Sequence, residues 1–332
     1  MSSASLEPAA CEVLPHFGIF PWSSSIRFLG NHGGFSGARL WRVEEPAASW
    51  CLRAWPATER LPRRLVEIHR LMRSARQTGL SFVPEIRFTR DKTSWVEHAG
   101  RLWDVSQWMP GQADFRNCPT ARRLEAALIA LASLHNVWSG AHQSQGPCPA
   151  VQRRLEKYQE WHDSLRAGWR PTFSSTPDDQ VRPVAEQAWQ LVRRHLDDVP
   201  RMLEPWIACA MPLQPCLCDI WHDHVLFEDQ EVAGIIDYGG SKLDHVAVDL
   251  ARLLGSLVGD STEQWTTGLG VYRRHRSFSP EEEALAMVLD RTGTLLGAAN
   301  WLKWLYLEKR EFGDRGLVVR RLGTLVERIE KW

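Results

Sequence analysis

A short β-hairpin set in an otherwise helical stretch restricts the fold of this chain more than any other feature. The last two thirds of the sequence show mostly helical hydrophobic spacing, but short apolar runs at 225–227 and 232–236 flank a turn. One acidic loop precedes this hairpin and another follows it. Because a tight hairpin holds its ends side by side, we expect Asp219, His224 and Asp237 to converge.

The first third of the chain has a different pattern. Strand-like runs occur at 28–30, 38–43, 50–55, 82–88, 94–98 and 102–108. Residues 58–79 carry apolar side chains at helical spacing, and Met109-Pro110-Gly111 is a strong break. The layout predicts an α+β protein with three parts. These parts are an N-terminal segment over 1–24, a strand-rich lobe over 25–110, and a helical lobe over 111–332 that contains the hairpin.

The composition excludes several classes of protein. The 332 residues carry 40 basic and 40 acidic side chains, so no global field draws the chain to nucleic acid or to a membrane. Seven cysteines, an odd number scattered along the chain, favour reduced thiols. The first residues lack the basic start and apolar core of a signal peptide, and no apolar run is long enough to span a bilayer. We therefore expect a soluble, cytoplasmic protein, and the sequence leaves its oligomeric state open.

The two acidic loops contain the residue types that phosphoryl transfer requires. One carboxylate has to orient or deprotonate the attacking hydroxyl, and another has to hold the divalent metal that neutralises the phosphate oxygens. Asp219 and Asp237 meet both needs if they converge at the base of the hairpin. The sequence therefore predicts transfer of a phosphoryl group from a nucleotide to the hydroxyl of a small molecule.

These segments resemble the aminoglycoside phosphotransferase and choline-kinase-like family, relatives of the protein kinases. Residues 217–227 match the family's catalytic loop, Ile235-Ile236-Asp237-Tyr238-Gly239 match its metal loop, and Asp249-Leu250-Ala251 match a helix start. Trp221 also resembles the fructosamine-kinase branch. The resemblance covers most of the chain. It implies a protein-kinase-like α+β fold with two lobes, the smaller one built from a five-stranded antiparallel sheet and one helix.

The resemblance also implies roles for residues around the hairpin. Asp219 takes the position of the catalytic base or hydroxyl-orienting group, and Asp237 that of the main Mg²⁺ ligand. His224 stands where the family has a second metal ligand. The implied phosphoryl donor is ATP or GTP, and the implied metal is Mg²⁺ or Mn²⁺. The implied partners are this nucleotide and a small-molecule alcohol, without nucleic acid or membrane.

The strand-rich lobe matches the family's nucleotide site. A loop between two strands is implied to cover the phosphates with its backbone amides, because residues without Cβ let the backbone approach anionic oxygens. This loop consists of Gly33, Gly34, Phe35, Ser36 and Gly37. Arg53 is implied to pair with the α- and β-phosphates, steadied by Glu67 or, alternatively, Glu59. Backbone groups near Trp108 and Met109 are implied to hold adenine.

Three positions depart from the family pattern. Leu217-Cys218 replaces a His-Gly pair, His224 replaces a metal-binding Asn, and Arg53 replaces a Lys. Imidazole is a better ligand for Mn²⁺ or Zn²⁺ than for Mg²⁺, so either one metal suffices or His222 or Asp223 supplies the missing contact. Arg binds phosphate well but is bulkier and forked. This chain prefers Arg to Lys throughout, so Arg53 is no proof of lost activity.

Two other functions stay open at this stage. A pseudokinase would bind nucleotide or a partner without efficient transfer, and His224 together with Arg53 is the feature that would mark it. A zinc-binding structural protein would use Cys216 and Cys218 with His222 and His224. Their spacing fits none of the usual structural zinc sites, in which the cysteines lie two to four residues apart and the two halves are well separated.

Some polar residues receive a structural interpretation. Asp249 is interpreted as the cap of the helix that begins at Leu250. Several acidic residues of the helical lobe either attract a cationic amine substrate or form a solvated face. They are Glu156, Glu160, Asp163, Asp178 and Asp179. The substrate stays open, because a fold does not determine a substrate.

Overall fold

The protein is described by a computed structural model that covers residues 6–30, 37–58, 61–140, 144–173 and 179–332. Backbone contacts divide the chain into two units. The first unit is Met1–Ala141 with His222–Ser241, and the second is His142–Trp221 with Lys242–Trp332. The hairpin therefore belongs to the first unit although it lies late in the sequence. The lobe boundaries expected at residues 24 and 110 stay a prediction.

The first unit contains a five-stranded antiparallel sheet in the order β1-β2-β3-β5-β4. Its strands are β1 (Ser25–Gly30), β2 (Arg39–Glu45), β3 (Ala48–Ala54), β4 (Val96–His98) and β5 (Arg101–Gln107). Alternate residues of the central strands are fully buried, and the rings of Trp41 and Trp103 pack 5.3 Å apart between their centroids. The predicted five-stranded sheet is confirmed. The strand predicted at 82–88 is wrong, because that segment pairs only through an isolated bridge from Ile86 to Ser106.

The described residues of the first unit also form three α-helices and the hairpin. They are α1 (Glu7–Val13), α2 (Pro62–Gln77), α3 (Ala121–Ser139), β8 (Val225–Glu228) and β9 (Glu231–Ile235). Helix α1 buries Ala10 and Val13 in the same core as the sheet. Helix α2 buries the apolar face that the sequence predicts, since Leu65, Ile68 and Met72 are all almost inaccessible to solvent.

The second unit is mostly helical. Its helices are α4 (Pro149–Arg166), α5 (Arg182–His195), α6 (Asp198–Leu203), α7 (Ala247–Val258), α8 (Thr262–His275), α9 (Pro280–Leu302) and α10 (Arg315–Ile329). A small antiparallel sheet joins β6 (Ser144–Pro147), β7 (Ala210–Cys216) and β10 (Lys242–Asp244) in the order β10-β7-β6. Helix α9 begins with a capping box in which Ser279 and Glu282 bind each other's backbone amides. None of the helices described is long and apolar enough to cross a membrane.

Candidate active site

The hairpin brings His224 and Asp237 together in the first unit. Val225 pairs with Ile235, and the amide of Ile236 donates to the carbonyl of His224 at 2.9 Å. This pairing continues to the side chains, where Nε2 of His224 lies 3.7 Å from Oδ2 of Asp237. The two ends of the hairpin meet as its geometry requires.

Asp237 presents an ionised carboxylate. Its backbone takes the left-handed conformation at φ 60°, and about half of its side chain is exposed to solvent. Nη1 of Arg53 lies 3.3 Å from Oδ1 of Asp237. Burial opposes ionisation, but the charges of Arg53 and His224 outweigh it and lower the pKa of Asp237. The carboxylate is therefore negatively charged at neutral pH and available to a cation.

A divalent cation fits between Asp237 and His224. The 3.7 Å that separates Oδ2 of Asp237 from Nε2 of His224 lets both atoms bind one ion at the usual bond length of about 2.1 Å. One carboxylate oxygen and one imidazole nitrogen form a donor set that suits Mn²⁺ better than it suits Mg²⁺.

Arg53 is held by a buried polar cluster. It lies opposite Asp104 in the pairing of β3 with β5, and its guanidinium lies over the ring of Trp55 at 5.1 Å. Asp104 is buried and accepts hydrogen bonds from Nε1 of Trp55 at 2.8 Å and from Nε2 of His69 at 3.1 Å. Burial opposes ionisation of Asp104, but the hydrogen bond and charge of His69, together with the charge of Arg53 and the hydrogen bond of Trp55, outweigh it and lower the pKa of Asp104. A second carboxylate thus faces the positive charge of Arg53.

The helix residue that reaches this cluster is His69, which the sequence argument missed. Glu67 accepts two hydrogen bonds from Arg70, at 3.0 and 2.6 Å, on an exposed part of α2. Its pairing with Arg53 stays a prediction, and the alternative Glu59 lies outside the described residues. The available signal was Asp104 itself, because an acidic residue between the apolar Trp103 and Val105 needs a buried partner.

The structure describes part of the other segments that are predicted to bind the nucleotide. Gly33, Gly34, Phe35 and Ser36 lie outside the described residues, whereas Gly37 is described and has φ 83°, which glycine adopts without strain. The amide of Trp108 donates to the carbonyl of Ser49 at 2.9 Å. Met109 is buried against Gly234, where an added Cβ would lie 2.7 Å from that of Met109. The missing side chain of Gly234 in β9 therefore leaves the space that Met109 occupies.

Asp219 lies in the second unit, three residues after the end of β7. Its side chain is half exposed and forms an ion pair with Arg252 of α7. Cys218, immediately before it, has φ 62°, a conformation that is unfavourable for residues with a side chain. The family pattern has glycine at this position, which adopts such a φ freely.

Asp249 holds the loop that carries Asp219. Its buried carboxylate accepts hydrogen bonds from the backbone amides of Leu217 at 2.7 Å and Cys218 at 2.6 Å. The interpretation of Asp249 as a helix cap is wrong, because α7 begins at Ala247 and its side chain binds the distant loop instead. An acidic residue on the buried face of an apolar helix is the signal that marks such a role.

Asp249→Ala is expected to destabilise the protein by about 3 kcal/mol or more, because two buried amides lose a charged acceptor. Asp249→Asn keeps one acceptor oxygen, so its stability should lie between that of Asp249→Ala and that of the native protein. The urea midpoint of unfolding measures both changes. An unchanged midpoint for Asp249→Ala would show that the loop is held by other contacts.

The donors of the alternative zinc site are divided between the units. Cys216 and Cys218 belong to the second unit, and His222 and His224 belong to the first. Burial, reinforced by the charge of Asp249, raises the pKa of both thiols. Both thiols are therefore protonated at neutral pH.

Residues 27–286 match the model of the phosphotransferase enzyme family. The match spans most of the chain and includes both acidic loops. The chain belongs to the phosphotransferase enzyme family. The family resemblance inferred from the sequence is confirmed, and the matched residues include Asp219 and Asp237. The catalytic and metal-binding roles of these two residues stay predictions.

One curated relative is a homoserine kinase from Beijerinckia indica subsp. indica, which is 30% identical over 149 residues. The matched stretch covers 43% of this chain and 45% of the relative, less than two thirds of its length. The activity of the relative therefore enters only as a basis for proposals.

Solved structures confirm the predicted protein-kinase-like α+β fold. A spectinomycin phosphotransferase, solved with ADP and spectinomycin, has a TM-score of 0.67 at 13% identity and covers 99% of this chain and 98% of its own. An amicoumacin kinase, solved with AMP-PNP and Ca²⁺, has a TM-score of 0.64 at 12% identity. The match covers 100% of this chain and 94% of the amicoumacin kinase. A microcompartment-associated aminopropanol kinase has a TM-score of 0.59 at 15% identity and covers 98% and 96%. At such identities the likeness shows the fold alone.

Proposed function

We propose that this phosphotransferase moves the γ-phosphoryl group of ATP or GTP to a hydroxyl of a small molecule. The observation that carries the proposal is the grouping of Arg53, Asp237 and His224, which offers a fixed cation and an ionised carboxylate at the metal loop. Family membership and the nucleotides bound by its structural neighbours support the same reaction. The neighbour solved with Ca²⁺ supports the use of a divalent cation.

Each charged residue has a distinct task in this proposal. Arg53 exchanges its contact with Asp237 for phosphate oxygens of the nucleotide. The buried Asp104 keeps the guanidinium of Arg53 in position. Asp237 and His224 would hold the divalent metal, which supplies positive charge to the transferring phosphoryl group. The glycine loop at 33–37 and the segment at 108–109 would hold the phosphates and the adenine.

Asp219 is the proposed base. Its carboxylate orients the acceptor hydroxyl and takes its proton while the oxygen–phosphorus bond forms and the bond to the β-phosphate breaks. Arg252 fixes the direction of this carboxylate. The proposal requires Asp219 to act on the same phosphoryl group as Asp237, as the hairpin argument from the sequence predicts.

The cytoplasm is the proposed location. All seven cysteines are free, which suits a reducing compartment where nucleotide is available.

The proposal is tested by transfer assays with ATP and GTP, each with Mg²⁺ or Mn²⁺, on a panel of amino acids, hydroxy acids, sugars, amino sugars and amino alcohols. Metal-dependent phosphorylation of an acceptor is the expected result. Nucleotide binding without transfer to any acceptor would favour the pseudokinase alternative. Failure to bind either nucleotide with either metal would reject the proposal.

His224→Asn is expected to shift the metal preference toward Mg²⁺, because an amide oxygen replaces an imidazole nitrogen in the donor set. We expect the ratio of kcat/KM with Mn²⁺ to that with Mg²⁺ to fall about 10-fold. Rates measured across a range of each metal concentration give this ratio. A ratio equal to that of the native enzyme would place His224 outside the metal site.

A further inference from the structure

A buried carboxylate ties the first turn of α4 to the loop of Asp219. Asp244 accepts a hydrogen bond from the amide of Ala150 at 3.1 Å and forms an ion pair with Arg153. Its Oδ2 also lies 3.7 Å from Sγ of Cys218, the neighbour of the proposed base. Helix α4, strand β10 and the Asp219 loop therefore meet at one point of the second unit.

Basic side chains from three elements surround this point. Lys157 follows Arg153 by one helical turn, so both lie on the same face of α4. Lys242 begins β10 and pairs with Cys216 at the end of β7, just before the Asp219 loop. Arg252 of α7 contacts Asp219 directly. Partial desolvation lowers the pKa of Lys157, and so do its neighbours, the cations Arg154, Arg252, Lys242 and Arg153.

These cations outnumber the anions that face them. Arg153 and Arg252 each have one carboxylate partner. The ammonium groups of Lys157 and Lys242 form no ion pair with a carboxylate in the part of the chain that the structure describes, and both residues are exposed. Like charges held together in this way repel each other until an anion binds between them.

The acidic residues of the same unit do not supply the missing charge. The sequence offered five acidic residues for a cationic substrate. Asp178 lies outside the described residues, and each of the other four has a local partner. Glu156 accepts from Gln152, Glu160 from Lys303, Asp163 from Gln159 and Asp179 from Arg315. Among the described residues, the charges beside Asp219 without an ion-pair partner are therefore those of Lys157 and Lys242, which favour an anionic group on the acceptor.

We propose that the acceptor alcohol is a hydroxy acid, whose carboxylate binds Lys157 and Lys242 while its hydroxyl faces Asp219. This inference rests on the proposed phosphotransfer function and names its substrate class. The relative named a homoserine kinase fits this class, since homoserine carries both a hydroxyl and a carboxylate. Because Lys ammonium groups bind as point charges, the site selects for charge and leaves the rest of the acceptor less constrained.

Matched acceptors test the inference on the full chain with ATP and either metal. The pairs are 4-hydroxybutyrate against 1,4-butanediol, and L-homoserine against its alcohol analogue 2-amino-1,4-butanediol. Each pair keeps the hydroxyl and changes only the carboxylate. We expect the acid of at least one pair to have a kcat/KM about 10-fold or more above that of its alcohol. Preference for the alcohols, for amino sugars or for other cationic acceptors would overturn the inference and leave the phosphotransfer function intact.

A double substitution locates the carboxylate. Lys157→Met with Lys242→Met is expected to raise the KM for the hydroxy acid about 10-fold or more, with the KM for ATP unchanged. Lys331→Met near the C-terminus is the matched control. The side chain of Lys331 is exposed, and its ammonium group faces the carboxylate of Asp260 at 3.9 Å instead of Asp219. A rise in the KM for ATP with an unchanged KM for the acid would assign the two lysines to the nucleotide phosphates and overturn the inference.

Calorimetry of hydroxy-acid binding keeps the two proposals separate. The native protein, with and without AMP-PNP, is expected to bind the hydroxy acids, and the double variant is expected to bind them about 10-fold more weakly. Hydroxy-acid binding without nucleotide binding would support the inference while rejecting the proposed reaction. Nucleotide binding without any hydroxy-acid binding would overturn the inference and leave the proposed reaction intact.

Discussion

Asp219→Asn is expected to lower kcat by about 10³-fold or more, because the amide cannot accept the proton of the attacking hydroxyl. The amide keeps the shape of the side chain and one acceptor oxygen, so the acceptor still binds. Since Asp219 is half exposed, its replacement buries no unpaired group, and stability should change little. The effect therefore belongs to kcat, with the KM for ATP close to that of the native enzyme.

Steady-state kinetics and urea unfolding on the same preparation measure this prediction. Asp229→Asn provides the matched control, since Asp229 lies in the turn between β8 and β9 at φ 51°, where Asn is equally well accommodated. The control should keep native kcat. If Asp219→Asn also keeps it, Asp219 is not the base, and another group must orient the hydroxyl.

Asp237→Asn is expected to lower kcat/KM by about 10³-fold, because the metal loses its anionic ligand and with it several kcal/mol of transition-state stabilisation. The substitution also removes the ion pair with Arg53, which lies 3.3 Å from the carboxylate. The amide still has an oxygen that a metal can bind weakly. Excess metal should therefore restore part of the activity.

Rates measured against metal concentration decide between two roles for Asp237. A metal ligand predicts that the half-saturating concentration of Mg²⁺ or Mn²⁺ rises steeply in the variant. If the half-saturating concentration stays native while kcat/KM falls, Asp237 acts by positioning Arg53 and the metal binds elsewhere. Arg53→Met, which removes the guanidinium, separates the second case because its effect should then match that of Asp237→Asn.

Local pattern was sufficient for the sheet and for the buried face of α2. Alternation along β2, β3 and β5 and the 3.6-residue spacing of Leu65, Ile68 and Met72 report which side of each element is buried, and burial of that side needs no knowledge of the partner. The extended segment 82–88 looks the same in sequence, yet forms only the bridge at Ile86. Strand pairing depends on a neighbour, which periodicity does not specify.

The sequence by itself determined the family, the positions of the two acidic loops and the hairpin that links His224 to Asp237. These features are local in the chain, or they follow from a short turn. The tertiary structure decided which distant groups support them. Arg53 and Asp237 are 184 residues apart, and Asp249 binds amides that precede it by 32 and 31 residues.

The surroundings of Arg53 and the charge that an acceptor meets also depend on the tertiary structure. The resemblance favoured Glu67 as the partner of Arg53, and that pairing stays a prediction. The structure adds that the helix residue bound to Asp104 is His69, because the rotation of α2 against the sheet determines which helix residue faces inward. The charge around Asp219 likewise comes from α4, β10 and α7 together. A local run of residues shows its own charge, whereas the charge that a substrate meets is the sum over elements that only folding places side by side.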